Sequence, residues 1–415
     1  MTKPHSSEQL ALDIVRKLQQ AGHVAYYAGG CVRDRLMGRE PADFDVATSA
    51  VPEEVLKLFP RSQKVGVAFG VVIVRERRQQ VEVATFRAEG EYSDGRRPDT
   101  VRFTNAEEDA KRRDFTCNGL FFDPVAEELH DFVDGRNDIK KKLLRAIGDP
   151  RQRFMEDHLR LLRAVRFAAK LEFDIEPETW QSMRSLAERI RTISRERIGE
   201  EVRMILEHPS RVKGMRLLAL ADLVGWIWPP ELWNQTTPVL PSAVRTRFQS
   251  LEGPVTRTMV LVAIQRDLWT GRSVSARQWH EAAGQFQQYF MMSNQERDDF
   301  GWLAEKIDVL LERCKWTRPI VKRLMADGRW PQLKALYAAE KRGVDEEFEA
   351  FTAQLQGEGV SPEPFVTGDD LIKLGASPGP QFKAWLERLY DWQLDNQLLT
   401  REAALTEARR LMAGA

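Results

Sequence analysis

The sequence predicts an α+β protein with its strands early in the chain and a helical remainder. Two observations predict it. Short runs rich in β-branched and aromatic residues fall at residues 24–28, 44–47, 65–74 and 80–86, bounded by Gly, Pro or charged residues. Beyond Glu172 apolar residues recur at helical spacing between prolines at 177, 209, 229, 230, 238, 241, 254, 319 and 331, and all eleven tryptophans lie from Trp180 onward. A chain of 415 residues exceeds one ordinary core, so several domains or a long helical array are expected.

Composition narrows the function. Apolar residues make up 42% and charged residues 30%, which suits a soluble globular chain. Lys+Arg and Asp+Glu both number 62, so a nucleic-acid partner would have to meet a local basic patch rather than a global field. Cys31, Cys117 and Cys314 are too far apart for a disulfide framework or a zinc cluster. There is no apolar signal segment and no run of about 18 apolar residues, so a cytoplasmic protein without a membrane partner is expected.

Taken in order, residues 6–20 carry Leu10, Ile14, Val15 and Leu18 behind a serine cap and read as an amphipathic helix. The strand at 24–28 runs into Gly29-Gly30, a short helix follows at 33–37, and Gly38 ends it. The next strand carries Asp43 and Asp45. Side chains alternate along a strand, so both carboxylates face one side while Phe44 and Val46 face the core. Two adjacent carboxylates repel unless a divalent cation lies between them, and Mg²⁺ favours such oxygens together with substrate phosphates. Gly29 and Gly30 let the backbone approach a polyphosphate, and Arg33 adds a charged contact. The plainer alternative is a tight turn followed by solvated acids.

A helix is expected from Pro52, capped by Thr48 or Ser49 and favoured by Glu53 and Glu54. Residues 65–74 and 80–86 read as a hairpin across Arg75-Glu76-Arg77-Arg78. In it Glu82 alternates with Val81 and Val83, either as a third carboxylate beside Asp43 and Asp45 or as an edge glutamate facing solvent. Residues 87–100 are polar and aperiodic and read as a mobile loop. Arg112, Arg113 and Asp114, followed by Thr116 and Asn118, suit either contacts to ribose and phosphate or a structural ion-pair cluster. His130-Asp131 suggests a metal phosphohydrolase only as a dipeptide, because six scattered histidines offer no ligand cluster.

Residues 151–171 read as one helix, apolar over most of its surface, with a polar stripe of Glu156, Asp157, Arg160 and Arg163. Such a stripe serves internal ion pairs or a ligand. The later tryptophans read as core, and basic pieces at 184–203 and 313–329 as RNA-facing surface.

Several of these stretches, in this order, resemble the class II tRNA nucleotidyltransferase and bacterial poly(A) polymerase family. They are Gly29-Gly30-x-x-Arg33-Asp34 with Gly38 and Asp43-x-Asp45-x-x-Thr48, the loop from Tyr92 to Pro98, Arg112-Arg113-Asp114, Asp131 to Asp138, and Glu156-Asp157-x-x-Arg160-x-x-Arg163. The likeness covers roughly the first 200 residues and returns in the tail.

The resemblance implies a nucleotidyltransferase (polymerase β-like) head with a mixed β-sheet at residues 1–140. An elongated all-helical neck (141–205, base recognition), body (206–355) and tail (356–415, tRNA binding) would follow. It implies that Asp43 and Asp45 bind two Mg²⁺ ions with Glu82 as third acid, and that Gly29, Gly30 and Arg33 hold the triphosphate. Arg112, Arg113, Asp114 and Asn118 would read the ribose. Asp157 and Arg160, with Arg163 beside them, would complement the amino donor and ring acceptor shared by cytosine and adenine.

The implied activity is template-independent addition of CCA to tRNA 3′ ends from CTP and ATP by two-metal-ion transfer, with tRNA as partner and no DNA. A poly(A) polymerase or a partial CC- or A-adding enzyme shares these residues, although residues 65–72 favour CCA addition. A non-catalytic RNA-binding protein is opposed by intact Asp43, Asp45 and Arg33. Two departures stand out: Cys117 and Gly119 replace the usual Ile and Ala, and Asp134 replaces a glycine of the hinge motif.

Overall fold

Alternating side chains and the small residues Ala28 and Ala47 shape the N-terminal sheet. The computed structural model describes residues 7–64, 70–76, 79–90, 100–232, 251, 254–341 and 343–413. Its strands up to residue 131 are β1 (Ala25–Ala28), β2 (Asp45–Thr48), β3 (Gln63–Lys64), β4 (Val71–Glu76), β5 (Gln79–Thr85), β6 (Arg87–Glu89), β7 (Val101–Phe103), β8 (Leu120–Asp123) and β9 (Glu128–Asp131), and the two-residue strands Leu143–Leu144 and Asp174–Ile175 pair in parallel further on. Seven of them form a mixed sheet in the order β3-β4-β5-β2-β1-β8-β9, in which only β2 and β5 run parallel. One face is covered by helix α1 (Ser7–Gln20), whose Leu10, Ile14, Val15 and Leu18 are buried as the periodicity predicts, together with Ala11. On the other face Ala28, Ala47, Phe86 and Phe121 pack with Ala106 and Ala110 of α4 (Ala106–Lys111). Ala28 and Ala47 fill little space there, and a cleft opens beside them.

Several expectations shift by a few residues, each for a local reason. Helix α2 is Gly30–Leu36, starting earlier than expected because Gly29 takes φ 68°, a left-handed turn that glycine adopts without strain. Strand β2 begins at Asp45, so Asp43 precedes the strand instead of lying on it. Helix α3 (Pro52–Leu58) starts after Val51, whose N–H donates to Glu54. Thr48 and Ser49 do not cap it, because the Thr48 hydroxyl donates to the Val24 carbonyl and the Ser49 hydroxyl accepts the Val24 N–H. The ends of the polar stretch 87–100 pair as the β6–β7 ladder, while residues 91–99 and 65–69 lie outside the described residues.

Asp134 sits at φ 60°, ψ 27° before α5 (Gly135–Lys140). This left-handed conformation explains why a glycine suits the position, and Asp is among the side chains that tolerate it. Asp131 accepts the N–H groups of Val133, Gly135 and Arg136 and so acts as a turn former, while His130 packs against the rings of Tyr26 and Phe132.

The largest departure is at residues 151–171, which form two helices, α6 (Pro150–Glu156) and α7 (Arg160–Leu171). Asp157 breaks the run: its backbone is extended and its carboxylate accepts the Leu159 N–H, the local bond that makes Asp better at helix ends than in helix interiors. α8 (Pro177–Ser185), α9 (Arg195–Glu207), α10 (Arg211–Leu220) and α11 (Val224–Ile227) follow.

The chain packs into two compact units, Met1–Leu240 with Tyr289–Met291, and Pro241–Gln288 with Met292–Ala415. The second unit is helical in its described residues and ends in three helices, Gly368–Lys373, Pro380–Leu394 and Arg401–Ala413, around Val366, Leu371, Leu389, Ala404 and Ala408. The helix Glu346–Glu358 runs past the expected body–tail boundary at 355/356. Every described tryptophan is buried or half-buried, which fits the core reading. In the two basic pieces most arginines carry acid partners, among them Arg184–Asp222, Arg203–Glu200, Arg318–Glu358 and Arg323–Asp391. No described helix is long and apolar enough to cross a membrane.

Candidate active site

The register of the sheet lines up the acids. Ala28 pairs with Asp45 across β1–β2, and Asp45 pairs with Glu82 across β2–β5, so the two carboxylates stand side by side on the face of Ala28, Ala47 and Ala84. This face floors a cleft of about 640 Å³ within the first unit. Its walls carry Gly29, Gly30 and Arg33 from the β1–α2 turn, Arg112, Arg113, Asp114 and Asn118 from the segment after α4, and Asp157, Arg160 and Arg163 from the α6–α7 break. Thirteen site residues were expected, and the structure brings all but Asp43 to this lining. Asp43 is exposed just before β2, near enough that its charge acts on Asp45.

Electrostatics separates floor from walls. Asp45 keeps contact with solvent through the open cleft, yet the surrounding protein strips much of its hydration. That burial, together with the charges of Glu82 and Asp43 and against the pull of Arg113, pushes its carboxyl up to about 6. Among the described residues neither Asp45 nor Glu82 makes an ion pair. The wall residues are paired. Buried Asp109 of α4 receives both Arg112 (2.7 Å) and Arg113 (3.0 Å). Burial alone would raise the Asp109 carboxyl, but these guanidinium groups hold it below the ordinary carboxylate range. Arg33 is 4% exposed, donates to Asn118 Oδ1 at 2.6 Å and is paired with Asp34.

Asp114 joins the two halves of the site. It accepts two bonds from Arg163, at 2.9 and 2.6 Å, and one from Asn118 at 3.1 Å. Its burial would raise its carboxyl, yet Arg163 foremost, then Asn118 and Arg160, lower it. The arginine paired with this aspartate therefore comes from the helix 49 residues on and not from its neighbours Arg112 and Arg113. Arg160 bonds Glu156 at 2.7 Å and the Arg153 carbonyl at 2.9 Å. Asp157 is held at 2.8 Å by Arg197 of α9.

Gly29 is required twice over: its φ is positive, and an added Cβ would lie 2.9 Å from Arg113 Nη1. Its N–H is spent on the Leu120 carbonyl, so of the two glycines only Gly30 is placed to offer a backbone donor to the cleft.

Sequence reasoning missed three contributors. Arg197 lies in a stretch read as RNA-facing surface, and nothing local marks it as the partner of Asp157; one of its terminal nitrogens is buried without an acceptor. Asp109, which organises both arginines, sits among acids typical of a helix start. Phe167 was legible: it lies four residues after Arg163 on one helix face, and its ring is approached by Arg33, Arg163 and Arg166 at 5.6, 5.3 and 4.3 Å.

The donor set suits a divalent cation, since it consists of hard carboxylate oxygens with excess negative charge. Among the described residues no group of three His, Cys, Asp or Glu side chains is assembled to hold a metal ion. Protein ligands alone would thus leave coordination positions for phosphate and water.

Residues 25–145 match the family model described as "Poly A polymerase head domain", and residues 172–235 match "Probable RNA and SrmB- binding site of polymerase A". A CCA-adding enzyme of Levilactobacillus brevis is 33% identical over 403 residues, 96% of this chain and 97% of the relative. One from Geobacillus stearothermophilus is 41% identical over 220 residues, 53% of this chain and 54% of the relative. The crystal structure of the Bacillus stearothermophilus CCA-adding enzyme in complex with CTP matches with a TM-score of 0.77 and 28% identity, covering 100% of both chains. The Thermotoga maritima CCA-adding enzyme complexed with tRNA shares the fold, with a TM-score of 0.65 at 20% identity and coverage of 98% and 94%.

Proposed function

This chain belongs to the CCA-adding enzyme family, and on that premise we propose that its cleft builds the CCA end of tRNA from CTP and ATP without a nucleic-acid template. The chain is a nucleotidyltransferase. The observation that carries the site assignment is the contrast between two acids on the cleft floor, Asp45 and Glu82, that make no ion pair among the described residues, and a wall of paired arginines above them.

The residues divide the work by chemistry. Arg113 and the Gly30 backbone face the triphosphate, and Arg33 holds Asn118 in place. The Arg163–Asp114 pair positions Asn118 and offers its carboxylate edge to the ribose. The Asp157 carboxylate accepts from an exocyclic amino group and the Arg160 guanidinium donates to the adjacent ring nitrogen, a pairing that cytosine and adenine satisfy, whereas guanine and uracil carry a hydrogen on that ring nitrogen. Arg197 and Glu156 fix those two groups before a nucleotide arrives, so little ordering remains at the moment of binding.

Asp43 and Asp45 would hold two Mg²⁺ ions with Glu82 beside Asp45, and when bound these ions would activate the tRNA 3′-hydroxyl and neutralise the leaving pyrophosphate. The hydroxyl oxygen forms its bond to the α-phosphorus as the bond to pyrophosphate breaks, in line and within a site that keeps the reactants close.

The test is product length. Purified protein, Mg²⁺ and a tRNA lacking its last three nucleotides are incubated with CTP, ATP or both, and products are sized on a gel. Three additions that then stop are expected with both nucleotides. A long ladder with ATP alone would make the chain a poly(A) polymerase, and growth limited to CC or to A a partial enzyme.

A further inference from the structure

The second unit contains a cavity that the reaction above does not use. It measures about 250 Å³ and is lined by Arg266, Trp269, Gly271, Arg272, Trp279 and Asp308 among others, around the turn between the helices Arg257–Leu268 and Ala276–Phe290. Ligand pockets for drug-sized molecules run to about 300–1,000 Å³, so this one suits a single ring system and not a whole nucleoside triphosphate.

Four features of its lining belong together. Trp279 is 2% exposed, and its indole N–H has no hydrogen-bond partner. A buried Trp N–H usually finds an acceptor, and leaving it without one is costly. Trp269 is half-buried, its ring centroid 4.9 Å from that of Trp279, so a flat partner can lie against it. Asp308 is fixed by Arg266 through Oδ1 at 2.6 Å, which leaves Oδ2 as an acceptor. Arg266 is itself neutralised by a second acid, Glu340, at 2.9 Å. Arg272 is exposed and forms no ion pair among the described residues. An aromatic face, a donor, an acceptor and an unpaired cation thus surround one ring-sized space.

We propose that this cavity binds one unpaired nucleotide of an RNA chain. The base lies against Trp269, a ring acceptor takes the Trp279 N–H, an amino group donates to Asp308, and the phosphate meets Arg272. A base that offers both an acceptor and an amino group fits, which favours cytosine and adenine over uracil. The inference rests on the reading that this chain handles RNA, but its test requires no catalysis.

The full chain is labelled with fluorinated tryptophan, the resonances of Trp269 and Trp279 are assigned with Trp269→Phe and Trp279→Phe, and the protein is titrated with CMP, AMP and, as control, ribose 5-phosphate. Both resonances should shift and saturate with CMP and AMP and stay in place with ribose 5-phosphate. Trp279→Phe keeps the packing but lacks the N–H, and affinity read at Trp269 should weaken about three- to tenfold. Resonances that stay in place with every probe would mean that the cavity holds water only, and an equal response to ribose 5-phosphate would reduce it to a phosphate contact; either overturns the proposal. Addition of nucleotides to tRNA by the same preparation separately reports on the cleft, so the two readings fail independently.

Discussion

At the scale of single residues the decisive feature is a carboxylate, that of Asp45, which makes no ion pair among the described residues. Asp45 holds its proton more tightly in the folded protein than its ordinary value of 3.8 would allow, up to about 6. A raised carboxyl favours folding while it is protonated. That contribution is fully present below the ordinary value and is lost as pH rises through about 6. Metal-free Asp45→Asn protein should therefore melt a few degrees above the parent at neutral pH, with the gap closing towards pH 4, as thermal melts across that range would show; because Asp45 reaches solvent, the shift should stay modest. The same substitution should cut nucleotide incorporation by about 10³-fold or more while tRNA binding in a filter assay is nearly unchanged. Much of this was legible early. The alternation Asp43-Phe44-Asp45-Val46 and the placement of Glu82 between two valines put acids on one side and core on the other. That β2 and β5 are neighbours, which makes Glu82 a partner of Asp45, depends on sheet order, and no local pattern specifies it.

At the scale of elements, the site is held by ion pairs that join segments far apart in sequence. Arg163 on α7 closes on Asp114 at 2.6 Å, and Arg166 on the same helix closes on Glu201 of α9 at 2.6 Å. Removing one partner of a buried pair leaves the other charged and dehydrated. Arg163→Gln should then cost about 3 kcal/mol in urea unfolding, less than for a fully enclosed pair because Arg163 is itself half-exposed. A loss under about 1 kcal/mol would show that Asp114 can rehydrate.

The helical stripe of Glu156, Asp157, Arg160 and Arg163 was visible in the sequence, and its composition allowed both ion pairing and ligand recognition. Its geometry was not. A helical period describes a continuous run, whereas Asp157 prefers to bond the Leu159 N–H and to pair with Arg197, a residue contributed by another helix. The break turns Asp157 and Arg160 towards the cleft together.

At the scale of the whole molecule, the α+β beginning and helical remainder were legible because they rest on periodicities of two and of 3.6 residues. The grouping into two units was not, since it arises from contacts between helices remote in sequence. All cleft residues belong to the first unit. Thermal unfolding should accordingly show two transitions, and CTP at about 100 times its Kd should raise the one belonging to the first unit by about 2.7 kcal/mol while leaving the other in place. A single transition, or equal shifts in both, would show the units to be one cooperative body.

The central claim is that the protein itself, through Asp157 and Arg160, chooses the nucleotide. Incorporation of each of the four nucleotides onto a tRNA acceptor by Arg160→Ala, beside the parent, tests it most directly. The parent should use only C and A. The variant should add U or G as well, at a reduced rate. Strict use of C and A by the variant would contradict nucleotide selection in this cleft.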